Sequence, residues 1–521
     1  MASDLILTMG SRYEVCVIGG GITGAGIARD LALRGVEVVL LEKGDLAVGS
    51  TGRSHGLVHS GARYVVTDPE SAEQCASENR ILREIAPSFI HATGGLFVAL
   101  GEDDPAYLEE FLRGCRSAGV AAEELSPKEA LKLEPQLNPE LVAAVEVNDA
   151  VADPFLLTVA NAFAAYRHGA KIETYARVVE VADGRVSYLQ DGRRQEIEVE
   201  VVINASGVWA GEVAKLAGRR VEVKSYKGAI LVYQGSAVGR VVNHLRRPSQ
   251  GDIILPHKGT TLVGTSFVPE ARLEKFSISR EEVELLKREG IAKVPSLAGR
   301  RVIRAYAGLR PVVGSGEKRG FTIIEDGSFI TITGGKFTTY RLMAERASDA
   351  ACRLLGIRAQ CTTAKEPIVE EGEELKALLG RGFNRLYARY GALARALVPY
   401  AEKRTITCLC EGVSRGEVVF AARELFCRNI RDIRRRTRLG MGYCQGRRCT
   451  LEAAMTLFSE GLASAEQAQV QVVNSLRERW KGILPVLEAS MREAKLMEAT
   501  YGCAGNYDKI KKHLRGLVSF L

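Results

Sequence analysis

The sequence predicts an α/β fold, with a Rossmann-like dinucleotide-binding domain and a separate β-rich cap, followed by a small helical module bearing four cysteines. Three observations predict it. An apolar strand near the start runs into a glycine loop and a helix; strand-like runs recur between helical stretches through the first two thirds of the chain; and a CxC pair and a Cx4C pair lie beyond residue 400. With 521 residues the chain exceeds what one hydrophobic core usually supports, so two or three folding units are expected.

Residues 13–18 (YEVCVI) form a short run rich in β-branched side chains, the pattern of a buried parallel strand. Gly19, Gly21 and Gly24 follow as GxGxxG, then a helical stretch over 25–34, then a second apolar strand over 36–41 that ends at Glu42. The first glycine allows the tight turn, the second lets the backbone approach a pyrophosphate, and the third lets helix and strand pack closely. The helix N-terminus receives the phosphate charge. Glu42 stands where a carboxylate accepts hydrogen bonds from both ribose hydroxyls and repels a 2'-phosphate. At this point FAD and NAD both remain open.

The dinucleotide domain is expected to be discontinuous, built from residues 11–90, 150–215 and 325–355. Between those pieces, strand-like runs at 94–100, 221–233, 252–264 and 321–333 suit a substrate cap, with some of them returning into the main sheet. Residues 366–403 turn helical and charged, with Leu375, Leu378, Leu379, Phe383, Leu386, Leu393 and Leu397 at helical spacing. After the cysteines, 459–499 reads as helical. Residues 509–521 (KIKKHLRGLVSFL) form a basic amphipathic helix, with two readings: contact with a membrane surface, or packing against protein. The expected divisions are 1–360, 361–403, 404–456 and 457–521.

Lysine and arginine number 71 against 63 acidic residues, a formal charge of +8, which favours anionic ligands without implying nucleic acid. No stretch reaches the roughly 20 apolar residues of a membrane span, and the start lacks a secretion signal, so a cytoplasmic protein is expected, peripheral at the inner membrane face if the terminal helix binds lipid. Of the 11 cysteines, Cys16, Cys75 and Cys352 are isolated in apolar or helical surroundings, unlike a secreted disulfide framework.

Residues 47–64 (AVGSTGRSHGLVHSGARY) are small and polar, directly after the βαβ unit. NASGVW at 204–209, AYAGLRP at 305–311 and TGGKFTTYR at 333–341 follow in order. In these four segments the chain resembles the glycerol-3-phosphate dehydrogenase family, within the amino-acid-oxidase and glutathione-reductase type of flavoprotein. Its cysteine module brings it nearest the catalytic-subunit branch of the anaerobic enzymes, over nearly the whole chain. The resemblance implies a noncovalent FAD held by Gly19, Gly21, Gly24, Glu42, Thr51, Ser54, Gly207, Gly334, Gly335, Lys336 and Thr338. It also implies oxidation of sn-glycerol 3-phosphate at its C2 hydroxyl to dihydroxyacetone phosphate, with hydride transfer to flavin N5.

Chemistry assigns further roles inside those motifs. Gly334 and Gly335 precede a helical stretch that starts at Thr338, so free backbone N–H groups there are expected to face charge developing at flavin N1 and O2. A phosphate dianion needs fixed cations, and Arg63, Arg310 and Lys336 are embedded in the motifs; each charge-assisted bond contributes about 1.5 to 3 kcal/mol. Tyr64 adds a hydroxyl. A general base must reach the C2 hydroxyl; His55, His59 and His257 are candidates, and His59 is favoured, with Arg310 and Lys336 completing the catalytic set. One departure stands out: after Lys227-Gly228, where some quinone-linked relatives carry histidine, this chain has Ala229-Ile230.

Cys408, Cys410, Cys444 and Cys449 bring four thiolates together. The arrangement resembles the small helical [2Fe-2S] domain related to bacterioferritin-associated ferredoxin. Zinc is the alternative, although structural zinc usually takes pairs with two to four residues between ligands. Cys427 is expected in the core of a helix. Arg431, Arg434, Arg435, Arg436, Arg438, Arg447 and Arg448 crowd the same region, as a solvated basic face, a docking surface for an acidic partner, or charge that raises a cluster's potential. The leading expectation is a dehydrogenase passing electrons through a [2Fe-2S] cluster to partner subunits and quinone. The alternatives are a dehydrogenase or oxidase of another hydroxy or amino acid, and a non-catalytic electron-transfer subunit.

Overall fold

The first strand runs Arg12–Ile18 at the centre of its sheet, parallel to Val38–Glu42 on one side and to Arg193–Asn204 on the other. Val15, Cys16 and Val17 are fully buried, which is why the run is apolar on both faces instead of alternating. The structure, a computed structural model, describes residues 11–487 apart from 102, 104, 183, 314–319 and 371–373. They divide into two units: residues up to 398 without 303–305, and residues 303–305 with 399 onward.

In the first unit the dinucleotide sheet continues from Val38–Glu42 to Lys171–Thr174, and from Arg193–Asn204 to Arg185–Gln190 and Arg177–Ala182. Phe329–Gly334 also lies parallel to Arg193–Asn204 and pairs antiparallel with Phe321–Asp326. The run expected at 321–333 is therefore the one that returns to the main sheet. The helix Ile22–Leu33 packs against Pro154–Arg167 and Tyr340–Leu355. Gly26 permits that approach, since a Cβ there would lie 3.1 Å from Ala344 Cβ and from the Tyr340 ring.

The β-rich cap is a second sheet. Its strands follow the order Val268–Pro269, Lys224–Gln234, Thr260–Gly264, Ile253–His257, Val241–His244, Gly95–Leu100, Leu141–Val147 and Ala122–Leu125, with Val302–Val312 against Lys224–Gln234. Ala229 and Ile230 are core residues of this sheet, and Lys227 is spent on Glu282 at 2.8 Å and the Ser277 carbonyl at 2.6 Å. The expected connector forms short helices, Leu375–Leu379, Phe383–Tyr390 and Ala394–Leu397, grouped with the first unit. Leu375, Leu379, Leu386, Leu393 and Leu397 are buried as expected, whereas Leu378 is exposed.

The second unit holds helices Arg415–Glu424, Ile430–Thr437, Cys449–Ser459 and Ala465–Ile483. Capping boxes start two of them, Ser414 with Glu417 and Ser464 with Gln467. Their shared core includes Cys408, Cys449, Val418, Ile433, Leu457 and Leu476. Cys427 is not mid-helix: it is half-buried in the loop between the first two helices, because Phe426 takes a left-handed φ of 58° and ends the helical path. The helical reading of 459–499 is met by Ala465–Ile483; its end, and all of 509–521, lie outside the described residues. Among the described residues no helix is long and apolar enough to cross a membrane.

Candidate functional site

The strand Arg12–Ile18 delivers Gly19 at φ 117°, a conformation that favours glycine. A Cβ on Gly24 would lie 1.9 Å from the Gly19 carbonyl oxygen, so helix and strand close only around glycine. The helix Ile22–Leu33 has no acidic residue in its first turn, and Ile22 N donates to the Thr51 hydroxyl at 3.1 Å. Its positive end thus lies open beside Gly21 for an anion. Glu42 stands beside the same loop. Its two carboxylate oxygens accept from Gly20 N and Gly44 N, both at 2.7 Å, and burial pushes its carboxyl up.

These groups border a cavity of about 1230 Å³, which exceeds the roughly 300–1,000 Å³ of ordinary small-molecule pockets and leaves room for a dinucleotide with a small substrate. Gly19, Gly21, Glu42, Thr51, Ser54, Gly207, Gly334 and Gly335 line it, and so do His55, His59, Arg63, Tyr64, Arg310 and Lys336. Gly24 and Thr338 do not. Gly24 serves the packing just described, and the fully buried Thr338 accepts from His59 N at 2.9 Å, fixing that histidine's backbone. His257 ends the strand Ile253–His257 away from the lining.

One expectation needs correction. Gly335 N donates to the Gly320 carbonyl at 3.0 Å and Lys336 N to the Thr339 hydroxyl at 3.2 Å, so these two N–H groups are already partnered. The helix begins at Tyr340, two residues later than expected, because the intervening turn folds back on Gly320. Gly335 is nonetheless required: at φ 70° its Cβ would stand 2.5 Å from Met343 Sδ.

The cations are individually held. Arg310 donates to the Ser266 carbonyl at 3.3 Å and to the Thr265 hydroxyl, with its guanidinium 5.6 Å from the Phe267 ring centre. Lys336 Nζ donates to Ser71 Oγ at 2.7 Å and lies 4.4 Å over the Tyr64 ring. Arg63 meets the buried Asp252 at 2.8 Å, and this carboxylate offsets its charge. Asp252, Glu289 and His244 come close enough to suggest a cation site, but Arg246 bonds Asp252 and Glu289 at 2.9 and 2.7 Å, which makes the group an ion-pair network behind Arg63. The Arg63 and Arg246 guanidiniums hold the Asp252 carboxyl below its usual range against the cost of burial. His59 Nε2 lies 3.5 Å from the Tyr64 hydroxyl, and the two rings meet edge to face at 5.2 Å.

Sequence reasoning gives no role to Ser71, Asp252, Thr265 or Lys43. Lys43 lies 4.0 Å over the Trp209 ring and 3.1 Å from Glu274, all three at the cavity wall. Only their distant partners mark them, and no local pattern carries that signal.

The second unit brings the four cysteines together as two pairs. Cys408 and Cys449, both almost fully buried, share a hydrogen bond that pulls Cys408 down to about 6 and pushes Cys449 up. Cys410 and Cys444, half-buried, form the other pair. A two-iron cluster takes two thiolates on each iron, and a CxC pair is atypical of structural zinc. The donor set fits the cluster. Arg479 Nη1 donates to the Cys444 carbonyl at 2.9 Å and steadies this end of the loop.

Both regions of the chain resemble known proteins. Residues 14–349 match the FAD dependent oxidoreductase family, and residues 406–458 match the BFD-like [2Fe-2S] binding domain. The chain is 40% identical over 519 residues to the A subunit of the anaerobic glycerol-3-phosphate dehydrogenase of Escherichia coli (strain K12), covering 94% of this chain and 96% of that one. Its identity to the A1 subunit of the Haloferax volcanii enzyme of the same name is 38%, covering 90% and 86%. Among solved structures, glycerol-3-phosphate dehydrogenase from Bacillus halodurans complexed with FAD has a TM-score of 0.72 at 22% identity, covering 92% and 97%, a likeness of fold.

The glycine contacts carry a first prediction. Gly24→Ala forces a methyl onto the Gly19 carbonyl, a clash beyond the usual roughly 1–3 kcal/mol of overpacking, and is expected to abolish FAD retention. Flavin absorbance per chain after purification checks it; wild-type flavin content would refute the close packing.

Proposed function

The chain belongs to the FAD dependent oxidoreductases, and among them to the family of anaerobic glycerol-3-phosphate dehydrogenase A subunits with their BFD-like [2Fe-2S] binding domain; from that premise we propose that it oxidises sn-glycerol 3-phosphate to dihydroxyacetone phosphate. The observation that carries this reading is one cavity in which the dinucleotide-binding glycines and Glu42 share walls with Arg310, Lys336, Arg63 and His59.

When bound, FAD supplies the hydride acceptor at N5. The protein's own groups do the rest. Arg310 offers a planar fork and Lys336 a compact charge to the substrate phosphate, with Arg63 weaker because Asp252 already claims it. His59 Nε2 takes the C2 hydroxyl proton, with the Tyr64 hydroxyl as a neighbouring polar group to orient the ring. Held this way, the alcohol carbon loses its hydride only when its hydroxyl proton has somewhere to go. Glu42, Thr51, Ser54 and Gly207 hold the cofactor. We further propose that Cys408, Cys410, Cys444 and Cys449 pass the electrons to companion subunits and then to quinone, with the chain peripheral at the inner membrane face.

Anaerobic titration of the loaded protein with sn-glycerol 3-phosphate tests the proposal. Bleaching of the oxidised flavin, together with a paramagnetic signal from a reduced cluster, is the expected result. A flavin that stays oxidised under saturating substrate would end the substrate assignment.

A further inference from the structure

The seven arginines near the cysteine motifs fall into different environments. Arg447 and Arg448 are exposed. Arg435 bonds Asp432 at 3.1 Å, Arg438 bonds Glu411 at 3.0 Å, and Arg431 faces Glu478 at 3.9 Å. Arg436 is fully buried and donates to the Leu425 carbonyl at 3.1 Å. Arg434 is half-buried and bonds a neutral group. Its Nη2 donates to the amide oxygen of Gln445 at 3.3 Å, loss of solvent around the guanidinium lowers it to about 9, and Glu478 lines the same small cavity and acts on it from there.

Gln445 is itself built into the ligand loop. It is buried, sits at a left-handed φ of 51°, and its amide donates to the Met441 and Gly442 carbonyls, both at 2.9 Å. A Cβ on Gly440 would lie 2.9 Å from Gly446 Cα and 3.7 Å from Cys449 Sγ, so the loop closes tightly beside the buried ligand pair. Arg434, Gly440, Gln445, Gly446 and Ser475 share the lining of a small cavity there.

We propose that Arg434 is a positioning and charge-setting residue that raises the reduction potential of a cluster held by Cys408, Cys410, Cys444 and Cys449. Reduction there adds one electron; no bond forms or breaks at the arginine. A fixed cation in poorly solvated surroundings favours the more negative state, and exposed cations of equal charge are screened. The inference rests on the [2Fe-2S] reading, which iron and sulfide analysis of the wild-type protein checks separately.

The test is a redox titration of the loaded full-length protein followed by electron paramagnetic resonance. Arg434→Gln is expected to shift the oxidised-to-reduced ratio at a given potential about tenfold toward oxidised, a fall of about 59 mV for one electron. Arg434→Lys should keep most of the wild-type potential, and Arg447→Gln should change the ratio less than threefold. Ser475→Asp sets a carboxylate in the shared cavity and should lower the potential in the same direction, which keeps the test open if Arg434→Gln fails to load. Ratios within threefold of wild type in both Arg434→Gln and Ser475→Asp would overturn the proposal. So would an equal shift in Arg447→Gln, or loss of the cluster from both inner variants.

Discussion

Arg310→Met is expected to lower kcat/KM for sn-glycerol 3-phosphate by about 10²–10³-fold while FAD stays bound, because one to two charge-assisted phosphate bonds of about 1.5–3 kcal/mol each disappear. The side chain is placed for this by the Ser266 carbonyl and the Thr265 hydroxyl, neither of which neutralises its charge, and Gly228 leaves the space it occupies. Arg310→Lys should recover part of the loss, since an ammonium supplies charge without the fork. The discriminating measurement is anaerobic flavin reduction with two substrates. If Arg310 binds phosphate, slow reduction by unphosphorylated glycerol is unchanged by the substitution, and only the phosphorylated substrate suffers. A kcat/KM for sn-glycerol 3-phosphate within threefold of wild type would remove Arg310 from the phosphate site. Arg63→Met should cost less, because Asp252 already offsets that guanidinium.

The parts of the site that local geometry dictates were legible in the sequence. Gly19 and Gly24 are glycines because of a φ of 117° and a 1.9 Å approach, constraints that fall within six residues of chain and so leave a readable pattern. The order of the cap strands left none: Gly95–Leu100 pairs with Val241–His244, and nothing local to either strand names its partner. The same holds for Lys336 with Ser71 and Arg63 with Asp252. Local pattern also misled where tertiary contacts override it. The glycines before Tyr340 suggest free N–H groups, yet the Gly320 carbonyl, brought in by the neighbouring strand, takes one of them. Around Cys427 the composition suits a helix, yet the backbone leaves helical geometry from Leu425 to Asn429, with Phe426 left-handed.

Cys449→Ser is expected to separate the two halves of the electron path. Cys449 and Cys408 form the buried pair, inside the core that includes Val418, Ile433 and Leu457, so the ligand role proposed for them is tied to the folding of the second unit. With one of four thiolates replaced, iron content should fall and the paramagnetic signal vanish. Flavin reduction by sn-glycerol 3-phosphate should stay close to wild type, since the dinucleotide cavity lies wholly in residues of the first unit. Turnover with a quinone acceptor should drop by about two orders of magnitude, whereas a dye that oxidises flavin directly should still support it. Cys427→Ser, at a half-buried loop position outside the four-cysteine set, serves as the control and should keep its iron. If quinone turnover survives in Cys449→Ser with the iron gone, the electrons leave from the flavin itself, and the cysteine module holds the fold of the second unit without carrying current.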